Sequence, residues 1–73
     1  MPLRPLPYRE VSRRLQAAGF TEVGQTGSHV KFAKSTDDGV ITAIVPRHRE
    51  IAVGTLRSLL RQAAIRADDF DEL

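Results

Sequence analysis

Cysteine is absent from the chain, and so is tryptophan. Without cysteine no disulfide can form and no thiolate can hold zinc, so neither device reinforces the fold. The same absence fits a reducing cytoplasm. Long apolar runs are missing as well. No stretch approaches the roughly 20 residues that cross a bilayer, and the opening MPLRPLPYRE lacks the apolar core of about 7–15 residues found in signal peptides. A cytoplasmic protein with no membrane partner is expected. Aromatic residues are few, one Tyr and three Phe, which leaves a thin platform for stacking single-stranded bases. At 73 residues a single domain over residues 1–73 is expected, and a domain this small buries only about 60% of its unfolded surface.

Acidic charge is scarce outside the end of the chain. Eleven Lys and Arg stand against nine Asp and Glu, a formal net charge of +2. Asp68, Asp69, Asp71 and Glu72 fall in the last six residues, whereas every basic residue lies at or before Arg66. Residues 1–66 therefore hold eleven positive and five negative charges, a net of +6. A positive body with an acidic tail suits a polyanion such as nucleic acid, although solvated Arg-rich helix faces account for the same balance.

The elements follow from spacing. Pro2, Pro5 and Pro7 make residues 1–7 an extended lead-in, with Pro7 at the first helical position. Tyr8–Ala18 predicts a helix: Tyr8, Val11, Leu15 and Ala18 form one stripe, Arg9, Arg13, Arg14 and Gln16 the wet side, and Gly19 the stop. Strands are predicted at Thr21–Gln25, at His29–Lys34, where Val30 and Phe32 alternate with polar residues, and at Val40–Val45, which Pro46 ends. Thr26-Gly27-Ser28 and Ser35–Gly39 are the intervening turns. Ala52–Ala64 is the second helix, with Leu56, Leu59, Leu60 and Ala63 inward, and Asp68–Leu73 adds a short last turn that packs Phe70. The fold class is α+β, in the order α-β-β-β-α. Its three-stranded antiparallel sheet carries both helices on one face, as in double-stranded-RNA-binding domains.

Two histidines are the candidates for proton transfer. On the alternation of the middle strand His29 faces away from the core, beside Lys31, and an unperturbed imidazole exchanges protons near neutrality. By itself this is also the description of an ordinary surface histidine. His29 and His48 are nineteen residues apart with no His, Cys or Asp at zinc-site spacing, so no metal and no cofactor is expected. A Ser28–His29 couple is disfavoured because neighbours on a strand point to opposite faces. The GQTG segment lacks the lysine and helix start of a P-loop.

Several segments together resemble the HicA toxin family: LQAAGF at 15–20, TGSHVKF at 26–32, VPRHR at 45–49, GTLRSLLRQAAI at 54–65 and DDF at 68–70. The Gly-Ser-His step, followed by the Val-Pro strand end and the Gly-Thr-Leu helix start, is the most specific part. The resemblance implies a double-stranded-RNA-binding-like fold, an endoribonuclease (mRNA interferase) acting on single-stranded regions of mRNA, and an antitoxin of the HicB type. A monomer when free and a hetero-oligomer with the antitoxin are expected. The family's catalytic histidine carries onto His29. Ser28, Lys31, Arg47, His48 and Arg49 are then candidates for holding RNA, and the chemistry needs no metal ion. The sequence departs from the family's pattern in a longer Pro-rich lead-in, in Ile-Ala-Val-Gly at the entry to the second helix, and in Ala64 where glycine is common. Two other readings use the same residues: a non-catalytic RNA-binding module, and an inactive homologue retained to bind its antitoxin.

Overall fold

Pro7 opens the first helix in a computed structural model, which describes residues 3–73. It stands one residue earlier than expected, as the N-cap, with φ −68° and ψ 152°. Its carbonyl accepts from the amides of Glu10 and Val11 at 3.1 and 3.2 Å, so its missing N–H costs nothing there. Helix α1 spans Tyr8–Ala17 and buries Val11, Ser12 and Leu15. It ends at Gly19, whose φ of 98° favours glycine. The Phe20 amide donates to Leu15 O (2.9 Å) and the Gly19 amide to Gln16 O (3.0 Å), a Schellman closure that occupies the last helical carbonyls.

The chain then forms a meander of β1 (Thr21–Thr26), β2 (His29–Thr36) and β3 (Gly39–Pro46), antiparallel and in sheet order β1-β2-β3. Both connections are two residues long. Gly27-Ser28 joins β1 to β2 with Gly27 at φ 59°, the first position of a type II′ turn, whose twist matches that of the strands. Asp37-Asp38 joins β2 to β3, shorter than the five-residue turn expected, because Thr36 already pairs with Gly39. Its hydroxyl donates to Gly39 O and accepts from the Asp38 amide. Between Glu22 and Gly24 the register slips, so Val23 is a bulge residue, 55% exposed.

Val30 and Phe32 of β2, with Ala43 and Val45 of β3, are fully buried. Against this face pack Val11 and Leu15 of α1 and Leu56, Leu59, Leu60 and Ala63 of α2 (Val53–Ala63). Both helices thus lie on one face and the other face is left uncovered by them, the α+β double-stranded-RNA-binding-like arrangement expected. The outer edge of β3 is held to α2, since the Ile44 amide donates to the Gln62 side chain at 2.9 Å. A final short helix, α3 (Ala67–Asp71), inserts Phe70 fully into the core.

Two positions depart from the sequence pattern. Arg14, assigned above to the wet side of α1, is only 11% exposed at its side chain. Its guanidinium lies 5.0 Å from the centre of the Phe70 ring, donates to Phe70 O, and pairs with Glu10 and Asp71. The tail, expected as a short turn that packs Phe70, is thereby tied to α1 as well. In the lead-in, Leu6 is buried and forms an isolated antiparallel bridge with Ile51, so this part of the segment belongs to the packed structure. The lead-in's Met1 and Pro2 lie outside the described residues.

Candidate active site and its basic flank

Alternation along β2 sorts its side chains by face. Val30 and Phe32 point into the core, so His29 and Lys31 project from the opposite, helix-free face, and both are exposed. Their separation along the strand is about 7 Å, close enough for one phosphodiester and its ribose to touch both. The cross-strand neighbours of His29 are Thr26 on β1 and Pro46 on β3; those of Lys31 are Gly24 and Ile44. Glycine beside Lys31 leaves its stem uncrowded on the β1 side. Ser28 stands in the two-residue loop just before His29 and is exposed. Its carbonyl accepts from the Arg47 amide, which fixes the end of β3 against the loop that presents the imidazole.

The three basic candidates after β3 are also exposed, as is the following Glu50. Arg47 does not share the face of His29 and Lys31. Its guanidinium lies 5.1 Å from the centre of the Tyr8 ring and donates to the Gln25 side chain at 3.3 Å. Gln25 pairs with the inward-facing Val30, so Arg47 reaches past the β1–β2 loop to the helix-covered side of the sheet, toward α1. His48 and Arg49 stay in the loop that leads to the Leu6–Ile51 bridge. The candidates therefore form two groups about one end of the sheet, a proton carrier with a lysine on the open face and an anchored arginine at the edge.

That edge borders a cleft of about 370 Å³ lined by Tyr8, Arg9, Ser12, Arg13, Gln16, Glu22 and Arg47. Burial and the nearby Glu22 carboxylate raise the Tyr8 hydroxyl above its ordinary pKa of 10, partly offset by a hydrogen bond with Ser12 and by Arg47. Sequence reading missed this cleft because its walls come from separate elements, and Tyr8 was assigned to the core stripe. The one available signal was the lack of apolar alternation in β1, whose six residues are all exposed. Among the described residues no group of three His, Cys, Asp or Glu could hold a metal ion, and no helix is long and apolar enough to cross a membrane.

A family model described as HicA toxin of bacterial toxin-antitoxin matches residues 8–65, most of the chain from the start of α1 to just beyond α2. The chain belongs to the HicA toxin family. A search of curated proteins finds no match. Family membership makes the chain the toxin of a toxin–antitoxin pair, with a cognate antitoxin as partner. The matched span includes the Gly-Ser-His step and every candidate site residue.

Proposed function

We propose that this HicA toxin is a metal-independent endoribonuclease that cleaves mRNA in single-stranded regions, with His29 as its catalytic residue. The observation that carries the reading is the exposed imidazole at the head of β2, beside Lys31 on the helix-free face, in a chain of this family.

The chemistry follows from those groups. A base removes the ribose 2′-OH proton as that oxygen attacks the adjacent phosphorus. The P–O5′ bond breaks, an acid protonates the departing 5′-oxygen, and the products are a 2′,3′-cyclic phosphate and a 5′-hydroxyl. His29 serves as either proton carrier. Lys31 places positive charge where the phosphorane gathers negative charge, a contribution that grows as water leaves. Ser28, Arg47, His48 and Arg49 hold the backbone on either side, which positions the strand without reading its sequence. The cognate antitoxin, of the HicB type, silences the enzyme by covering the imidazole. The domain extends over residues 1–73 and acts in the cytoplasm, as a monomer when free and within a hetero-oligomer when neutralised.

Induction of wild type against His29→Ala tests this directly. The variant should fold, lose growth arrest, and cleave purified RNA about 100- to 10,000-fold more slowly, the usual contribution of general acid–base catalysis. A folded His29→Ala protein that cuts RNA like wild type would remove the imidazole from the mechanism. Cleavage abolished by EDTA would remove the metal-free claim.

A further inference from the structure

The cleft between α1 and the β1 edge has features that the proposed chemistry at His29 does not require. Its volume of about 370 Å³ falls within the range of roughly 300–1,000 Å³ typical of small-molecule sites. Arg47 at its border comes one residue after Pro46, the cross-strand partner of His29, so the cleft begins where the candidate active site ends. The Arg47 guanidinium is already held by Tyr8 and Gln25. Little entropy remains to be lost when its other N–H groups meet a phosphate. On the α1 wall, the exposed Gln16 donates to the buried Ser12 hydroxyl at 3.0 Å, which gives that wall a polar lining. Glu22 faces this cleft with no ion pair among the described residues. A carboxylate left among three arginines, only one of which (Arg13) is engaged by Glu10, is poised to accept hydrogen bonds from a ligand that also carries negative charge.

We propose that this cleft is a nucleotide subsite, which takes the RNA residue flanking the cleaved linkage and selects guanine through Glu22. The statement that the residue flanks the cleaved linkage rests on the nuclease reading above; the binding preference does not. An ionised carboxylate only accepts hydrogen bonds. Among the bases, guanine alone offers two adjacent donors, N1–H and N2–H, to both carboxylate oxygens at once. Uracil offers a single N–H flanked by carbonyl oxygens, which the carboxylate repels. The phosphate of the same nucleotide sits on Arg47 and Arg9 at the cleft border.

The test is a titration of the full-length protein with guanosine 5′-monophosphate and, separately, uridine 5′-monophosphate, followed by amide chemical shifts. GMP should move the signals of Ser12, Gln16 and Glu22 and bind at least about fivefold more tightly than UMP, the lower end for one bidentate base contact. Glu22→Gln keeps size but turns one acceptor oxygen into an N–H donor and removes the negative charge; it should erase the preference for GMP, with UMP affinity held or raised because the carboxylate no longer repels uracil's carbonyl oxygens. Equal affinity for the two nucleotides overturns the proposal, as does an unaltered preference in Glu22→Gln, or shifts that avoid the cleft. Shifts at these residues caused by the antitoxin alone, with no response to nucleotide, assign the cleft to protein docking and overturn it equally. Failure of the nuclease reading shows instead in RNA cleavage by His29→Ala, a separate measurement.

Discussion

Glu10 lies between two guanidinium groups, and its hydrogen bonds from Arg13 first and then Arg14 lower its pKa from 4.5 to about 2. A carboxyl whose pKa falls on folding stabilises the protein above its unfolded value and ceases to do so as it is protonated in the folded state. The contribution is therefore complete above about pH 4.5 and is lost as pH falls toward 2. Glu10 and Arg13 lie in solvent, which screens their interaction, so the contribution is small. Thermal midpoints of wild type and Glu10→Gln should converge as pH drops through that window. At the proposed site, Lys31→Ala should slow RNA cleavage with little change in melting temperature, because the Lys31 side chain is exposed and makes no hydrogen bond among the described residues. A loss of melting temperature matching the loss of rate would show that Lys31 supports the fold instead.

The helices differ in how they end. α1 closes on Gly19, whereas α2 closes on Ala64 with φ 57° and ψ 37°, in the same pattern of amide bonds to the last turn. An alanine in the left-handed region costs about 1–2 kcal/mol. Ala64→Gly should raise the melting temperature by a few degrees, since about 1 kcal/mol corresponds to roughly 4–8 °C in a domain of this size. The start of α2 is also uncapped: Ala52 has the extended backbone of an N-cap and no side chain to use there. Ala52→Ser should add about 0.5–1 kcal/mol, read from urea midpoints at unchanged slope. The extra flexibility of glycine in the unfolded chain works against the first gain, which makes the pair a useful comparison.

At the same scale it is clear what the residue pattern could reveal. Period located α1, α2 and the second and third strands, because Val11, Leu15, Leu56, Leu59, Val30, Phe32, Ala43 and Val45 report the face they bury, whereas β1 was legible only from the turn at Gly27 that follows it. It also gave the exposure of His29 and Lys31, since burial alternates strictly over His29–Phe32. It failed where a tertiary contact outweighed local pattern. Arg14 has the polarity of a surface residue, yet Phe70 supplies a ring for its guanidinium and Glu10 and Asp71 its counter-charges. The bulge at Val23 hides the alternation of β1, and with it the side of the sheet on which Glu22 and Gln25 meet Tyr8 and Arg47. Residue 47 could be recognised as basic from the sequence, but its direction could not.

Across the whole molecule, α3 adds a large share of the core for so few residues. Phe70 is fully buried, and its truncation to alanine should cost about 3–5 kcal/mol. A chain of this length has roughly 4–11 kcal/mol in all, so Phe70→Ala should lower the melting temperature by more than about 10 °C, followed by circular dichroism. Its acidic neighbours Asp68 and Asp69 are exposed and concentrate negative charge at the end opposite in sequence from the lead-in. If the basic flank holds RNA backbone, binding by a His29→Ala protein should weaken with salt. Arg49→Ala should then reduce the slope of log affinity on log salt by about 0.7, the value for one phosphate contact to a single strand.

The two tight loops of the meander bear on how the chain acquires its shape. Each joins neighbours that are adjacent in both sequence and space, so all strand pairing is available without first closing a long loop. β-rich chains are usually slow because distant segments must find one another. Here hairpins can zip in microseconds and wait for the helices, so stopped-flow refolding should be complete within milliseconds. A protein that regains its form this quickly, once released unfolded, gives proteases little time to act.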